Sequence, residues 1–212
     1  MYVENIFVLI AAPLLACLFC VRGRPRLVVA GLLVGMTVCL ASAYVSSFIA
    51  QVVGLDPLRA AVEIAPTVEE SLKLLPLLFF LVIMEPDAED VDLAFVVVAV
   101  GFATMESALY LAEAGLSAPG TLLLRGLSTA MMHLVCGVVL GFGLTRAWQY
   151  SWFRAAGTFG LLCLAMAYHG LFNLLVAAGE PASIAVIVLP LAMLAALLAV
   201  KHRRMRIEQE SR

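Results

Sequence analysis

Seven long apolar stretches, separated by short polar segments, dominate the pattern of this chain. A transmembrane helix needs about 20 consecutive, mainly apolar residues, and each stretch approaches that length. The stretches cover residues 3–21, 27–49, 61–84, 93–113, 121–144, 155–178 and 183–200. The pattern predicts an all-α fold, a polytopic transmembrane helix bundle of about seven spans.

The composition excludes a soluble globular protein. Hydrophobic residues make up 64% of the 212 residues and charged residues only 13%, with a mean hydropathy of +1.06. Soluble domains carry about 25% charged residues. No loop is long enough to hold a soluble domain. We therefore expect one membrane-embedded domain over residues 1–212, with the chemistry between residues 61 and 178.

The basic residues predict the orientation in the membrane. Arg59 and Arg125 lie on one side, and Lys73 lies within the third span. The other ten basic residues share the side of the first loop: Arg22, Arg24, Arg26, Arg146, Arg154, Lys201, Arg203, Arg204, Arg206 and Arg212. Positive charge collects on the cytoplasmic side. This distribution predicts an N-terminus outside and a C-terminus in the cytoplasm.

Two charged segments lie beside these spans. The connection between the third and fourth spans is acidic and contains Glu85, Asp87, Glu89, Asp90 and Asp92. Runs of like charge are usually solvated, so we interpret this segment as a solvated connector. The tail from residue 201 to 206 is basic, and we interpret it as an anchor to anionic lipid.

The third span contains Glu69, Glu70 and Lys73 within an apolar run. A charged side chain at the bilayer centre costs about 2.5 to 3.5 kcal/mol even on lenient scales, so all three need partners. They share one helix face, and Glu69 with Lys73 forms an i,i+4 pair in the favourable order. A structural salt bridge would need one acid, so a second carboxylate is left for chemistry.

Three further spans contain polar residues at a similar depth. The fourth contains Glu106 and then Tyr110, the fifth contains His133, and the sixth contains His169 and then Asn173. At 1.5 Å per residue, the glutamates and both histidines lie about 10 to 18 Å below the outer ends of their spans. Scattered core residues have no reason to agree in depth. We therefore expect one shared site in the outer half of the membrane.

These residue types limit the chemistry. A serine protease needs an activated serine beside a histidine, and neither Ser107 nor Ser128 has that setting. The spans contain no aspartate pair and no His-Glu-x-x-His string. What remains is a buried glutamate as general base on water, with a histidine that donates to the developing oxyanion.

Small residues mark two helices for close packing. Gly137 and Gly141 lie one and two turns after His133, so the His133 face can approach a neighbouring backbone. Gly31 and Gly35 form a second pair on a span without ionisable residues. We interpret this second pair as a surface for packing or self-association.

Four motifs follow one another between residues 66 and 173. They are Pro66-x-x-Glu69-Glu70-x-x-Lys73, Gly101-Phe102-x-x-x-Glu106-x-x-x-Tyr110, Arg125 ahead of His133, and His169-x-x-x-Asn173. Together they resemble the PrsW family of intramembrane proteases. That family belongs to a wider group with the CAAX prenyl endopeptidases and the bacteriocin-processing membrane proteins. Ser107 departs from the Asn that often follows the third glutamate.

The resemblance implies an endopeptidase of the bacterial cytoplasmic membrane that cuts membrane-anchored proteins such as anti-sigma factors. Its implied catalytic residues are Glu69, Glu70, Glu106, His133, His169 and Asn173, supported by Lys73, Tyr110 and Arg125. Glu69 or Glu70 would be the base, with Glu106 as its partner. The histidines and Asn173 would be oxyanion donors or orienters, and Lys73 would hold one glutamate ionised.

The resemblance leaves the cofactor open between none and zinc, because members of the group have been regarded both as metalloproteases and as glutamic proteases. The ligands of a metal would be Glu70, Glu106, His133 and His169, a donor set that leaves a position for water. No two of these ligands lie one turn apart to preorganise a site. This spacing favours metal-free catalysis.

Other function classes stay open on the sequence. A proton-coupled transporter also buries Glu and His residues, although it often has an internal repeat, and the sequence shows none. A non-catalytic scaffold of the immunity type would not need the whole set of residues. Within the enzymes, a CAAX-type prenyl endopeptidase is the alternative. The expected partners are a membrane-anchored protein substrate and the lipid bilayer, with self-association open and no nucleic acid.

Overall fold

The computed structural model describes residues 3–114, 119–179 and 183–210 as a bundle of helices without strands. Its seven long helices are α1 (Val3–Cys20), α2 (Arg24–Val53), α3 (Ala65–Met84), α4 (Ala88–Ala114), α5 (Pro119–Ala147), α6 (Arg154–Ala177) and α7 (Ser183–Glu210). The all-α, polytopic fold predicted from the sequence is confirmed. Arg212, one of the ten basic residues used for the orientation, lies outside the described residues.

Six of these helices are long and apolar enough to cross a membrane, judged by length and composition within the described part of the chain. The exception is α3, which contains Glu69, Glu70 and Lys73. Its 20 residues still give a length of about 30 Å, the thickness of the hydrocarbon core. The chain is a multi-pass membrane protein in which one helix combines spanning length with three charges.

Several helices extend beyond their predicted spans. The second begins at Arg24 instead of residue 27, the fourth begins at Ala88 instead of residue 93, and the seventh continues to Glu210. The hydropathy of a sequence reports only the apolar part of a helix. Backbone hydrogen bonding also includes flanking polar residues, before the apolar part in the second and fourth helices and after it in the seventh.

The main core lies between α3, α4, α5 and α6. Its buried residues are Leu74, Leu77, Val91, Ala94, Phe95, Val98, Met132, Cys136, Leu140, Leu144, Ala165 and Phe172. A second cluster of Met36, Cys39, Phe102 and Met105 joins α2 to α4, with α1 packed against it. Each of the helices α3 to α6 therefore has one face at the centre of the bundle.

Close approach of α2 and α4 depends on glycine. A Cβ atom on Gly35 would meet the Val98 carbonyl oxygen and lie 2.7 Å from the Phe102 nitrogen. On the facing side of α4, a Cβ atom on Gly101 would lie 2.8 Å from the Leu32 Cα of α2. The glycine pair interpreted as a packing or self-association surface is thus used for packing within the chain.

The approach of α5 to α4 also depends on glycine, as the sequence predicts. A Cβ atom on Gly137 would lie 2.9 Å from the Phe95 carbonyl oxygen, and one on Gly141 would lie 3.0 Å from the Phe95 Cβ. Both glycines lie on the same side of α5 as His133, since they follow it at intervals of four residues. The short distance between these helices brings His133 near α4.

Ion pairs join the helices at one end of the bundle. Arg24 binds Glu89 at 2.7 Å and Asp90 at 3.0 Å, and Lys201 binds Asp92 at 2.6 Å. These three carboxylates of the acidic segment therefore also join helices, to a residue at the start of α2 and to one within α7. Glu89 remains solvated as predicted, with 79% of its side chain exposed. The contacts place Arg24 and Lys201 at the same end of the bundle, as an alternating topology requires.

Replacing Gly35 by leucine tests the close packing of α2 on α4. Overpacking a tight interface costs about 1 to 3 kcal/mol, so we expect Gly35→Leu to lower the thermal unfolding temperature in detergent. The matched control is Gly160→Leu on α6, where a Cβ atom meets no atom within 4 Å. The same loss of stability in both variants would contradict a tight interface at Gly35.

Candidate active site

Helix α3 places two charged side chains at the centre of the bundle. Glu70 Oε1 accepts hydrogen bonds from Lys73 Nζ at 2.6 Å and from His169 Nδ1 at 2.8 Å, and all three side chains are buried. The sequence predicted a pair between Glu69 and Lys73. The observed pair is instead Glu70 with Lys73, because Glu70 is the glutamate whose direction on α3 points to the bundle axis.

The same lysine reaches α5. Lys73 Nζ lies 2.9 Å from His133 Nδ1, and His133 Nε2 lies 2.5 Å from Glu106 Oε2 on α4. The ring of Phe102 packs beside this contact, with its centroid 4.3 Å from Lys73 Nζ and 4.8 Å from the His133 ring. One continuous set of polar contacts thus runs from α3 through α5 to α4.

The partners of His133 assign its tautomer. An ammonium group has three donors and no acceptor, and a neutral imidazole has one donor and one acceptor. Lys73 therefore donates to His133 Nδ1, so the proton of the ring is on Nε2. We assign the contact with Glu106 as a hydrogen bond that His133 Nε2–H donates to the carboxylate.

His169 has the opposite tautomer. Its Nδ1–H donates to Glu70, since a carboxylate accepts, which leaves a lone pair on Nε2. That nitrogen lies 3.8 Å from Glu69 Oε2, a buried oxygen without a hydrogen-bond partner among the described residues. The two histidine rings are 5.1 Å apart and perpendicular. Two acceptor atoms, one from α3 and one from α6, therefore face each other.

The cluster is open on one side. The side chain of Glu106 is 38% exposed and that of Glu69 is 15% exposed, whereas the other four are 5% exposed or less. Beyond Glu106 lies Tyr110, whose ring is 4.0 Å from the Arg125 guanidinium. Two of the three residues predicted as supporting therefore contact each other, one turn after Glu106.

Asn173 makes a different contact from the expected one. Its side-chain amide donates to the Ala61 carbonyl at 2.8 Å, in the π-helical turn Ala60–Ile64 that precedes α3. In that turn the Ala65 N–H bonds to Ala60, and Pro66 has no N–H to offer. The Ala61 carbonyl is thus left for a side chain. Asn173 anchors α6 to the start of α3, and this bond uses the donor expected to face the oxyanion.

The structure brings together a possible metal-binding group, but with different members from those predicted. Ligand atoms of Glu69, His133 and His169 lie within 4.8 Å of one another. Glu70 and Glu106 are not in this group. Glu70 Oε1 accepts hydrogen bonds from Lys73 and His169, and Glu106 is hydrogen-bonded to His133. Two histidines and one glutamate are a donor set found in catalytic zinc sites.

The hydrogen bonds of one of the three residues, His133, leave it no lone pair to bind zinc. Glu69 Oε2 and His169 Nε2 both offer lone pairs. His133 offers none, because its Nδ1 accepts from Lys73 and its Nε2 bears the proton. The residue types are suited to zinc, whereas the hydrogen bonds of His133 oppose it.

Sequence reasoning missed the role of Phe102. Its ring separates the Lys73 and His133 contacts from α2, and it lies 1% exposed between the helices. The spacing in the sequence indicates this position, because Phe102 precedes Glu106 by four residues and therefore shares its helix face. An aromatic residue in that position packs the buried charges against the apolar cluster that joins α2 to α4.

A buried cluster of glutamate and histidine, opened at one side of a transmembrane helix bundle, is an arrangement suited to a membrane-embedded hydrolase. A comparison with protein families agrees: the model described as PrsW family intramembrane metalloprotease matches residues 23–200, and the chain belongs to this family. No curated protein and no solved structure matches the chain. The family predicted from the sequence is confirmed.

Removing the ammonium group tests the buried ion pair. Breaking such a pair costs about 3 to 5 kcal/mol, whereas replacing both members by neutral groups is often nearly neutral. We expect Lys73→Met to lower the unfolding temperature in detergent, and Lys73→Met/Glu70→Gln to recover most of the loss.

The matched control is Lys201→Met, which breaks a partly exposed pair worth at most about 1 kcal/mol. Equal losses in the Lys73 single and double variants would show that the two buried charges do not stabilise the bundle jointly.

Proposed function

We propose that the chain hydrolyses a peptide bond of a membrane-anchored protein with a water molecule activated by Glu69. The observation that carries this proposal is a pair of buried acceptor atoms inside the cluster, Glu69 Oε2 and His169 Nε2, which lie 3.8 Å apart. The Glu69 side chain is 15% exposed and so connects this pair to the open side. Glu69 is the base in preference to Glu70, because Glu70 is buried and already accepts two hydrogen bonds.

Two acceptors at this separation suit a water molecule, which has two O–H donors. With both O–H groups directed at Glu69 and His169, a lone pair of the water oxygen points away from them, toward a substrate carbonyl. As the oxygen attacks, Glu69 takes its proton. The positions of both acceptors are fixed before the substrate arrives, which is the main requirement for efficient proton transfer.

His133 supplies the complementary group. Its Nε2–H points to Glu106 at the opening, and a substrate oxygen that displaces Glu106 would receive this donor. Preorganised donors of this type stabilise the oxyanion of a tetrahedral intermediate. Glu69, which then holds the proton taken from water, returns it to the departing amine as the C–N bond breaks. Glu106 stays a carboxylate throughout.

Glu70 and Lys73 position the reacting groups. The Glu70 carboxylate holds the proton of His169 on Nδ1 and so keeps the Nε2 lone pair toward the water, as the carboxylate of a hydrolase triad orients its histidine. Lys73 balances the charge of Glu70 within the membrane. Neither residue needs to touch the substrate.

Hydrolysis is favoured over proton-coupled transport by what lies on the far side of the cluster. The space behind Glu70 and His133 is lined by Leu77, Phe95 and Leu140, which belong to the main core. A transport path would have to cross this apolar layer. A hydrolase needs access from one side, which the exposed Glu106 provides.

The substrate class that fits this arrangement is a protein with a single membrane span, of the anti-sigma-factor type. A peptide bond in a helix is shielded by the helix itself, so the substrate must unwind locally beside the opening, where polar groups replace its lost hydrogen bonds. We place the end with Arg24 and Lys201 in the cytoplasm of a bacterial cell, since it holds most of the basic residues.

Glutamine substitutions distinguish the two glutamates. We expect Glu69→Gln to reduce cleavage of a single-span substrate in liposomes by about 100-fold to 10,000-fold, because an amide cannot take a proton from water. Glu63→Gln is the matched control, since Glu63 is exposed and lies six residues before Glu69. Wild-type turnover by Glu69→Gln would sink the assignment of the base.

The depth of the site predicts where the substrate is cut. Glu69 lies four residues after the start of α3, about 6 Å along that helix, at the end opposite to Arg24. Cleavage should therefore fall in the outer half of the substrate span or just beyond it. Mass spectrometry of the released fragment locates the bond, and a cut in the cytoplasmic half would contradict the orientation or the site.

A further inference from the structure

We propose that Lys73 withholds His133 from metal coordination and thereby makes the site work without a metal. The lysine is then a positioning residue that selects which nitrogen of His133 bears the proton. The consequence for catalysis, that Glu69 and not a metal ion activates the water, rests on the proposed function. The inference itself is carried by the hydrogen bonds among Lys73, Glu70, His133 and Glu106.

A histidine that binds a metal offers a lone pair from one nitrogen and donates the N–H of the other to an acceptor. His169 meets this requirement, because its Nδ1–H donates to the Glu70 carboxylate. His133 has the reverse arrangement, since Lys73 Nζ lies 2.9 Å from its Nδ1 and offers donors alone. The proton on Nε2 then occupies the position that a metal would need.

The lysine has little freedom to turn away from His133. Its ammonium group is 2.6 Å from Glu70 Oε1 and lies over the Phe102 ring at 4.3 Å. The side chain is 5% exposed, so solvent offers no alternative partner. Rotation of Lys73 would leave Glu70 without its counter-ion in a medium where unpaired charges are costly.

The positive charge of Lys73 also opposes metal binding at His133, as its hydrogen bond does. A divalent cation at His133 would lie close to the ammonium group, and like charges repel strongly where the surroundings are apolar. Without His133, Glu69 and His169 remain, and catalytic zinc sites use three protein ligands. The position of Lys73 therefore separates a three-residue ligand set into two available ligands and one that is blocked.

The tautomers can be measured directly on the full-length protein. We expect ¹⁵N spectra of histidine-labelled protein in detergent to show His133 with its proton on Nε2 and His169 with its proton on Nδ1, in a His202→Gln background that removes the third histidine. Variants His133→Gln and His169→Gln assign the two signals. A His133 signal with the proton on Nδ1 would overturn the proposal without any variant of Lys73.

Zinc binding supplies the second measurement. We expect Lys73→Met/Glu70→Gln, chosen because it removes the charge pair as a unit, to bind Zn²⁺ about 10-fold to 100-fold more tightly than wild type, the scale on which hydrogen-bond partners alter metal affinity. Lys73→Arg keeps a residue with donors alone and should bind as weakly as wild type. Adding His133→Gln to the double variant should remove the gain.

The outcomes separate this inference from the proposed function. Equal Zn²⁺ affinity in wild type and the double variant, or a gain that persists without His133, would overturn the role of Lys73. Neither measurement uses peptide cleavage. If the tautomers and Zn²⁺ affinities are as predicted but no peptide is cleaved, the role of Lys73 stands and the protease mechanism is rejected. If wild type cleaves the substrate but binds Zn²⁺ tightly, the protease activity stands and the role of Lys73 is rejected.

Discussion

The ammonium group of Lys73 is the contact on which the centre of this bundle depends. Within a membrane a charge has to find its partners among neighbouring helices, because water is scarce. Lys73 finds one in Glu70 and another in His133, and Glu70 in turn binds His169. A single cation on α3 therefore fixes the side chains of α5 and α6, and the apolar cores around them supply the rest of the stability.

The packing of the helices determines which polar groups can meet. His133 reaches Glu106 at 2.5 Å because α5 and α4 approach closely at Gly137 and Gly141. Larger residues there would separate the two helices by more than a hydrogen bond can span. The glycines of α5 thus serve the site indirectly, because close packing of the helices lets the polar side chains meet.

The spans and the clustering of residues at one depth could be predicted from the sequence, because both follow from hydropathy and a fixed rise per residue. The rotation of α3 could not. Glu69 and Glu70 are 100° apart on a helix, and which of them faces His169 depends on how the preceding segment packs. Because this rotation is not encoded in hydropathy, the predicted ion pair between Glu69 and Lys73 is wrong. For the same reason the predicted metal ligands include Glu70, whereas the structure groups Glu69 with the two histidines. Tautomers depend on partners from other helices, and no single segment specifies them.

The π-helical turn before α3 has a consequence for how this site tolerates change. A π turn holds one more residue than an α turn, and its free carbonyl at Ala61 is bound by Asn173. That extra residue determines the phase with which α3 enters the bundle. A lineage that lost it would turn α3 by about 100°. That rotation would bring only one of the two neighbouring glutamates to the position of the other and would move the second away from the site. Insertions and deletions in this short connection therefore change which glutamate faces the reaction centre, although the connection itself lies outside that centre.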